Sequence, residues 1–279
     1  WLAWHRHEMV FGFSGAIIAG FLLTAVQTWT GQPSLSGKPL AVLAVLWLLA
    51  RMSWWQPFPI IVLILNSVFL LAVTAAMARL LWAVRQNRHY PIVLVLLLLS
   101  ATDVLTLCGV LHSNDGWQRQ GSLAAVWLVL AMITLIGGRV IPFFTFRGLM
   151  KPAQVNAWPW LDGSLLIGTV LAALLTASGF LMQNIHWASS VLLLLLGAGH
   201  TIRLVRWFDI GLLRVPLLWS LHLAYAWLIV GCVGLALWSF GLNVPEGQVL
   251  HALTVGSIGG LILAMMARVS LGHTGRTLE

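Results

Sequence analysis

The chain has very few charged residues. Only 8 % of its 279 residues are Asp, Glu, Lys or Arg, and only seven are acidic. This low charge content excludes an ordinary soluble domain, in which about 25 % of residues are charged. The two cysteines, Cys108 and Cys232, fall inside apolar runs and are expected to be packing residues. The net charge of +8 comes from residues in short loops and at helix ends rather than from a basic tract with stacking aromatics, so no nucleic-acid partner is expected.

Apolar residues dominate what remains, at 60 % of the chain with a mean hydropathy of +0.94. Runs of about 20 apolar residues recur along the sequence and predict an all-α fold, a polytopic bundle of transmembrane helices. No hydrophilic stretch suggests a second domain, so one transmembrane domain over residues 1–279 is expected, trimmed at both ends from a longer protein. We predict nine spanning helices, at residues 9–29, 40–54, 58–84, 90–112, 122–146, 161–182, 185–205, 215–240 and 249–269.

The basic residues give this bundle an orientation. With nine helices, eleven Lys and Arg residues fall on one side of the membrane and three on the other, with Arg139 left over inside the fifth helix. The positive-inside rule makes the richer side cytoplasmic. We therefore expect the Trp1 end outside, in the periplasm, and the Glu279 end in the cytoplasm.

Nine histidines are a notable feature of so apolar a chain. Ionisable side chains in a membrane usually face the bundle interior and have a partner, a proton path or a metal. His200 and His222 are predicted at similar depths on consecutive helices, so their rings could face one another and ligate haem iron. The alternative for each is a hydrogen bond to a neighbouring helix. His89, in a cytoplasmic loop, is expected to be solvated.

A second group of candidate metal ligands lies toward the outer side. The opening Trp4-His5-Arg6-His7-Glu8-Met9 supplies two imidazoles, a carboxylate and a thioether, which suit copper. If this segment is helical, His5 and Glu8 share a face and His7 points elsewhere. The predicted outer metal group is His5, His7, Glu8, His251 and His112. The alternative is a helix start in which Glu8 favours the helix dipole.

Two ionisable residues lie deep in predicted helices. Asp103 is expected to pair with Arg139, to belong to a proton path, or to accept a hydrogen bond from a histidine that binds a metal. Arg139 stands beside Pro142, which predicts a kink, and could bind a haem propionate or an anionic substrate or extend to the interface. The glycine-rich segment with His273 and Arg276 could hold a phosphate or propionate.

These segments together resemble the NnrS family of bacterial membrane proteins. The resemblance spans almost the whole chain and rests on six blocks: WHRHEMVFGF at 4–13, AGFLLTAV at 19–26, GRVIPFFT at 138–145, PLLWSLHLAYAWL at 216–228, HALTVG at 251–256 and RVSLGHTGR at 268–276. The chain departs from the family at Gln27 and Thr28, where Pro and Asn are usual, so no role is carried over to that loop.

The resemblance implies a multi-pass protein of the bacterial cytoplasmic membrane that carries haem and copper and is linked to denitrification and resistance to nitric oxide. Family members have about twelve helices, so this chain would lack the first and the last two. The expected partners are nitric oxide or a related small molecule and the lipid bilayer, and a redox activity would add an electron-donor protein. The alternatives are a membrane transporter for a metal, haem or small anion, and a haem-free scaffold.

Overall fold

The computed structural model describes residues 1–182 and 187–274. Within these ranges nine helices are long and apolar enough to cross a membrane, and no β-strand occurs, which confirms the predicted all-α fold. Their bounds are α1 Leu2–Thr30, α2 Gly37–Trp55, α3 Pro59–Ala83, α4 Asn87–Leu111, α5 Asp115–Gly148, α6 Pro159–Ala177, α7 Trp187–Trp207, α8 Pro216–Ser239 and α9 Glu246–Leu271.

Two helices begin about two turns earlier than their hydropathy predicts. Helix α1 begins at Leu2 rather than at residue 9, and α5 begins at Asp115 rather than at residue 122. The added turns carry charged residues that compensate each other, since Nη1 of Arg6 lies 2.6 Å from Oδ1 of Asp115. Because apolarity alone defines a predicted span, paired charges at a helix end are missed.

Helix α5 also contains Pro142, where a kink is predicted. The structure continues the helix through this residue to Gly148. Helix α6 instead ends at Ala177, shortly before Gly179, whose φ of 81° is left-handed. Glycine adopts that conformation readily, so Gly179 terminates a helix that hydropathy extends to residue 182.

The described chain forms two compact units. Unit 1 comprises Trp1–Val129 and Ala173–Gly179, and unit 2 comprises Leu130–Ala172 and the described residues from Phe180 onward. The core of unit 1 is built from fully buried aliphatic side chains of α1, α3 and α4, including Leu22, Met77 and Leu96.

The core of unit 2 gathers side chains from α5, α7, α8 and α9. Ile141, Trp207, Leu221, Tyr225 and Leu261 belong to this cluster. Helices α8 and α9 approach closely because small residues face large ones. A Cβ on Gly256 would lie 2.6 Å from Cγ of Trp227, so only glycine fits at this contact.

Two of the nine helices contain a π-helical segment. One occupies Glu8–Ser14 in α1, directly after His7, and the other occupies Ala252–Gly259 in α9, directly after His251. π-helical turns are rare and are frequent at functional sites, because they re-aim side chains within a helix. In α1 the backbone oxygen of Gly12 accepts a hydrogen bond from Nε1 of Trp47 at 3.1 Å.

Candidate functional site

Four helices of unit 1 place a polar cluster in its interior, centred on His7, whose side chain is fully buried. Nδ1 of His7 lies 2.9 Å from Oε1 of Glu8, and Nε2 lies 2.7 Å from Oδ1 of Asp103. The second oxygen of Glu8 lies 2.7 Å from Nε of Arg51, whose guanidinium also donates to the side chain of Asn66. We call these five residues the His7 cluster.

Glycine at position 12 makes room for the outer part of this cluster. A Cβ on Gly12 would lie 2.5 Å from Oε2 of Glu8 and 3.2 Å from Nη1 of Arg51. On the other side of His7, the hydroxyl of Ser67 lies 3.4 Å from the second oxygen of Asp103. The cluster and Ser67 therefore form one continuous chain of polar groups that begins at Arg51 and ends at Ser67.

In the described part of the chain, the carboxylate of Asp103 contacts a histidine ring and a serine hydroxyl. Its predicted roles in a proton path or as the acceptor for a metal-binding histidine stay predictions. Arg139, the other expected partner, is half-buried in unit 2. The contacts with His7 and Ser67 explain how the Asp103 carboxylate is accommodated deep in an apolar bundle, since each of its oxygens has a polar neighbour.

Unit 2 has a second buried polar cluster, centred on Arg203 in α7, which is 2 % exposed. Nη1 and Nη2 donate to the backbone oxygen of Thr134 in α5 at 3.1 and 3.0 Å, and Nη1 lies 3.3 Å from the hydroxyl of Tyr225 in α8. Nε lies 3.2 Å from Oδ1 of Asp162 in α6. The same Tyr225 hydroxyl lies 2.6 Å from Nδ1 of His200, which is 1 % exposed.

Aromatic rings complete the surroundings of Arg203. Its guanidinium lies 4.8 Å from the ring centre of Trp207, and that ring lies 5.1 Å from the ring of Tyr225 in an edge contact. Residues His200, Arg203, Asp162 and Tyr225, with the Thr134 carbonyl, are called the Arg203 cluster below. It draws on four helices and fixes the position of the His200 ring.

His222, in α8, is held in a way that defines its tautomer. Nδ1 lies 3.0 Å from the backbone oxygen of Leu218. A carbonyl oxygen only accepts, so Nδ1 carries the hydrogen and, in a neutral ring, Nε2 carries the lone pair. Nε2 is buried and has no hydrogen-bond partner among the described residues; the backbone oxygen of Trp207 lies near the ring without hydrogen-bond geometry.

Two other predicted histidines repeat this local bond but are exposed. Nδ1 of His112 lies 2.9 Å from the oxygen of Cys108, and Nδ1 of His251 lies 2.6 Å from that of Gly247. His5, two residues before His7, is also exposed. Among residues 1–182 and 187–274, no three His, Cys, Asp or Glu side chains are grouped so as to hold a metal ion.

Arg268, near the end of α9, was not singled out by the sequence. It is 6 % exposed, and its guanidinium lies 4.0 Å from the ring centre of Phe144 in α5. Within the described part of the chain it makes neither a hydrogen bond nor an ion pair. A guanidinium carries five N–H donors, so this cation has unused donors. The side chain of His273 and the whole of Arg276, which are the neighbouring predicted residues, lie outside the described residues.

A small cavity opens at the end of α7 in unit 2. It has a volume of about 120 Å³ and is lined in part by Pro142, Trp207 and Phe208. Lys151 and Asp209 also line it and form an ion pair, with Nζ and Oδ2 2.6 Å apart. The hydrogen bond from Lys151, assisted by the backbone N–H of Gly211, lowers the pKa of Asp209 below its ordinary value.

Several functional candidates could not be assigned from the sequence. Arg51 and Arg203 count as ordinary charges near helix ends, yet the fold places both in polar clusters, with Arg203 buried and Arg51 half-buried. Tyr225 carries a signal of its own, because it is one of only two tyrosines in the chain and lies three residues after His222. His89, predicted to be solvated, is instead buried with its ring stacked on Trp29 at 4.5 Å.

Comparison with protein families identifies the chain. The family model described as NnrS protein matches residues 1–279, and the chain belongs to that family. No curated protein and no solved structure matches it. Membership, together with the nine apolar helices, supports a membrane protein with a role related to nitric oxide.

Proposed function

We propose that this member of the NnrS family is a haem-binding protein of the cytoplasmic membrane that binds nitric oxide and takes part in its detoxification during denitrification. The observation that carries the proposal is the hydrogen bonding of the two ring nitrogens of His222 in unit 2. Its Nδ1 hydrogen is used by the Leu218 carbonyl, and its buried Nε2 has no hydrogen-bond partner among the described residues. Histidines that bind metals usually have their other ring nitrogen fixed in this way.

The donor set of unit 2 fits a haem at two further points. His200 is buried and oriented by the Tyr225 hydroxyl, so it is the other candidate, beside His222, for the histidine that would hold the iron. Arg268 offers unused guanidinium donors for a propionate carboxylate, with which arginine forms strong charge-assisted hydrogen bonds. Bound haem would supply an iron that takes nitric oxide as a ligand.

The polar surroundings define what the protein's own residues do in this proposal. Arg203 and Tyr225 hold the His200 ring in one orientation, and Leu218 holds His222 in one tautomer. Burial of both rings keeps bulk water from their nitrogens. Such fixed ligands favour one cofactor geometry, because little rearrangement is needed on binding.

Copper, which the family resemblance also implies, has no comparable fit. His7 and Glu8 use their polar atoms on Asp103 and Arg51, and no other metal-binding group is found among the described residues. We therefore assign no ligand set to copper and do not place His5, His7 or Glu8 in a metal site.

The test is an absorption spectrum of the purified full chain with and without nitric oxide. We expect a haem Soret band that shifts when nitric oxide is added and that falls several-fold in His222→Ala. Arg268→Met should retain haem more weakly, by on the order of tenfold, as expected for loss of a charged hydrogen bond.

The control is His112→Ala, which removes a histidine with the same i−4 carbonyl bond in unit 1. It should keep the haem content of the unmodified protein. A chain that purifies without haem from haem-sufficient cells, or an equal loss of haem in His112→Ala and His222→Ala, would overturn the proposal.

A further inference from the structure

The His7 cluster contains an imidazole with a carboxylate on each ring nitrogen. Glu8 lies 2.9 Å from Nδ1 and Asp103 lies 2.7 Å from Nε2. A carboxylate without a proton only accepts hydrogen bonds, so both contacts together require two protons. A neutral imidazole carries only one of them.

Counting protons leaves three arrangements with the same total charge. In the first, His7 is an imidazolium between two carboxylates. In the second, Glu8 is protonated and donates to Nδ1, while Nε2–H donates to Asp103. In the third, Nδ1–H donates to Glu8, while protonated Asp103 donates to Nε2. Each arrangement has a net charge of −1, which the guanidinium of Arg51 balances.

Arg51 decides among these arrangements. Its Nε lies 2.7 Å from Glu8, while the hydrogen-bond neighbours of Asp103 in the described chain are His7 and Ser67, and Arg51 attracts Asp103 less strongly than it attracts Glu8. An adjacent cation favours the ionised carboxylate, so Glu8 remains charged. The extra proton therefore belongs to the hydrogen bond between His7 and Asp103.

The remaining surroundings contribute no competing charge at His7. Asn66 is held by Arg51, and the rings of Phe11 and Trp54 lie 4.9 and 5.2 Å from the imidazole. Arg6, next to His7 in the sequence, pairs with Asp115. His7 and Asp103 are both 0 % exposed, so their proton is exchanged through the cluster.

We propose that the His7–Asp103 pair is a proton-transfer site in the membrane-spanning part of unit 1. From the arrangement with Asp103 protonated, the Asp103 proton passes to Nε2 as the Nδ1 proton passes to Glu8. One N–H bond forms and one breaks, and one O–H bond breaks at Asp103 as one forms at Glu8. The ring changes tautomer while one proton moves from the Asp103 side to the Glu8 side. Chains of carboxylates and histidines serve as proton relays in membrane pumps and transporters.

Infrared difference spectroscopy of the full chain in lipid nanodiscs tests this site. With only seven Asp and Glu residues, carboxyl bands can be assigned individually. Between about pH 9 and about pH 5, which brackets imidazole titration, we expect a deuterium-sensitive carboxylic acid band and an imidazole band to change together. Asp103→Asn should remove the carboxyl change. In Arg51→Gln a second acid band should appear, because Glu8 loses the cation beside it.

Asp162→Asn is the matched control, since Asp162 is also a carboxylate beside a buried arginine, in unit 2. It should leave both bands in place. If Asp103→Asn fails to fold, ¹³C labelling of the aspartates in the unmodified chain gives the same information from four carboxyl signals. Two results would overturn the proposal. One is the absence of a carboxyl signal that titrates together with an imidazole signal, as a fixed ion pair would give. The other is an Asp103→Asn spectrum equal to that of the unmodified chain.

Discussion

The guanidinium of Arg203 occupies the space where a side chain at position 138 would lie. A Cβ built on Gly138 would overlap Nη2 of Arg203. Arg203 reaches the Thr134 carbonyl only because this neighbouring turn of α5 has no side chain. The Gly-Gly-Arg-Val-Ile-Pro segment, read from the sequence as the site of a kink, thus provides the gap that admits an arginine from α7.

Gly138→Ala should displace Arg203 and lower the thermal unfolding midpoint of the protein in detergent. The added methyl forces a repacking that costs about 1–3 kcal/mol. Gly137→Ala is the control, because its Cβ would make an ordinary contact of 3.6 Å with Ile141. Equal unfolding midpoints for the two variants would show that Arg203 does not depend on the gap.

Tyr225→Phe should destabilise unit 2 by about 1–2 kcal/mol. The substitution removes the hydroxyl shared by His200 and Arg203 and leaves two buried polar groups without that partner. Chemical denaturation followed by tryptophan fluorescence measures the change. Tyr90→Phe is the control, since Tyr90 is only half-buried. A Tyr225→Phe protein as stable as the control would exclude a structural role for the hydroxyl.

The Lys151–Asp209 ion pair should stabilise the protein at neutral pH and cease to do so in acid. The pKa of the Asp209 carboxyl is lowered in the folded state. The stabilisation by the ion pair is therefore present above the unfolded-state pKa, about 4, and is lost as the pH falls through the folded-state pKa. We expect the unfolding midpoints of the unmodified protein and Lys151→Met to differ slightly at about pH 7 and to converge as the pH falls below the folded-state pKa of Asp209. A difference that grows in acid would contradict the assignment.

The charge distribution predicts which loops face the cytoplasm, and single cysteines test it. Ala153 follows Lys151 on the predicted inner side, and Gly247 is at the start of α9 on the predicted outer side. The two probes are Ala153→Cys and Gly247→Cys. With Cys108 and Cys232 replaced, a membrane-impermeant maleimide should label position 247 in intact spheroplasts and position 153 only after permeabilisation. The reverse pattern would invert the topology.

Hydropathy predicts the nine helices and most of their bounds, because the cost of exposing backbone in lipid leaves few alternatives. It fails where charges compensate each other, as at the start of α1, where the polar residues 5–8 belong to the helix. The pairings within the sites could not be predicted, since depth along a helix says nothing about which face meets which neighbour. Asp103 with His7 and His200 with Tyr225 are contacts set by helix packing.

The central claim is that a buried histidine of unit 2 holds a haem iron, and near-infrared magnetic circular dichroism tests it most directly, because the charge-transfer band reports the axial ligands. We predict that His222→Met moves this band from a histidine-ligated to a methionine-ligated position, while His112→Met leaves it unchanged. Haem that is retained with an unaltered band in both His222→Met and His200→Met would contradict the account.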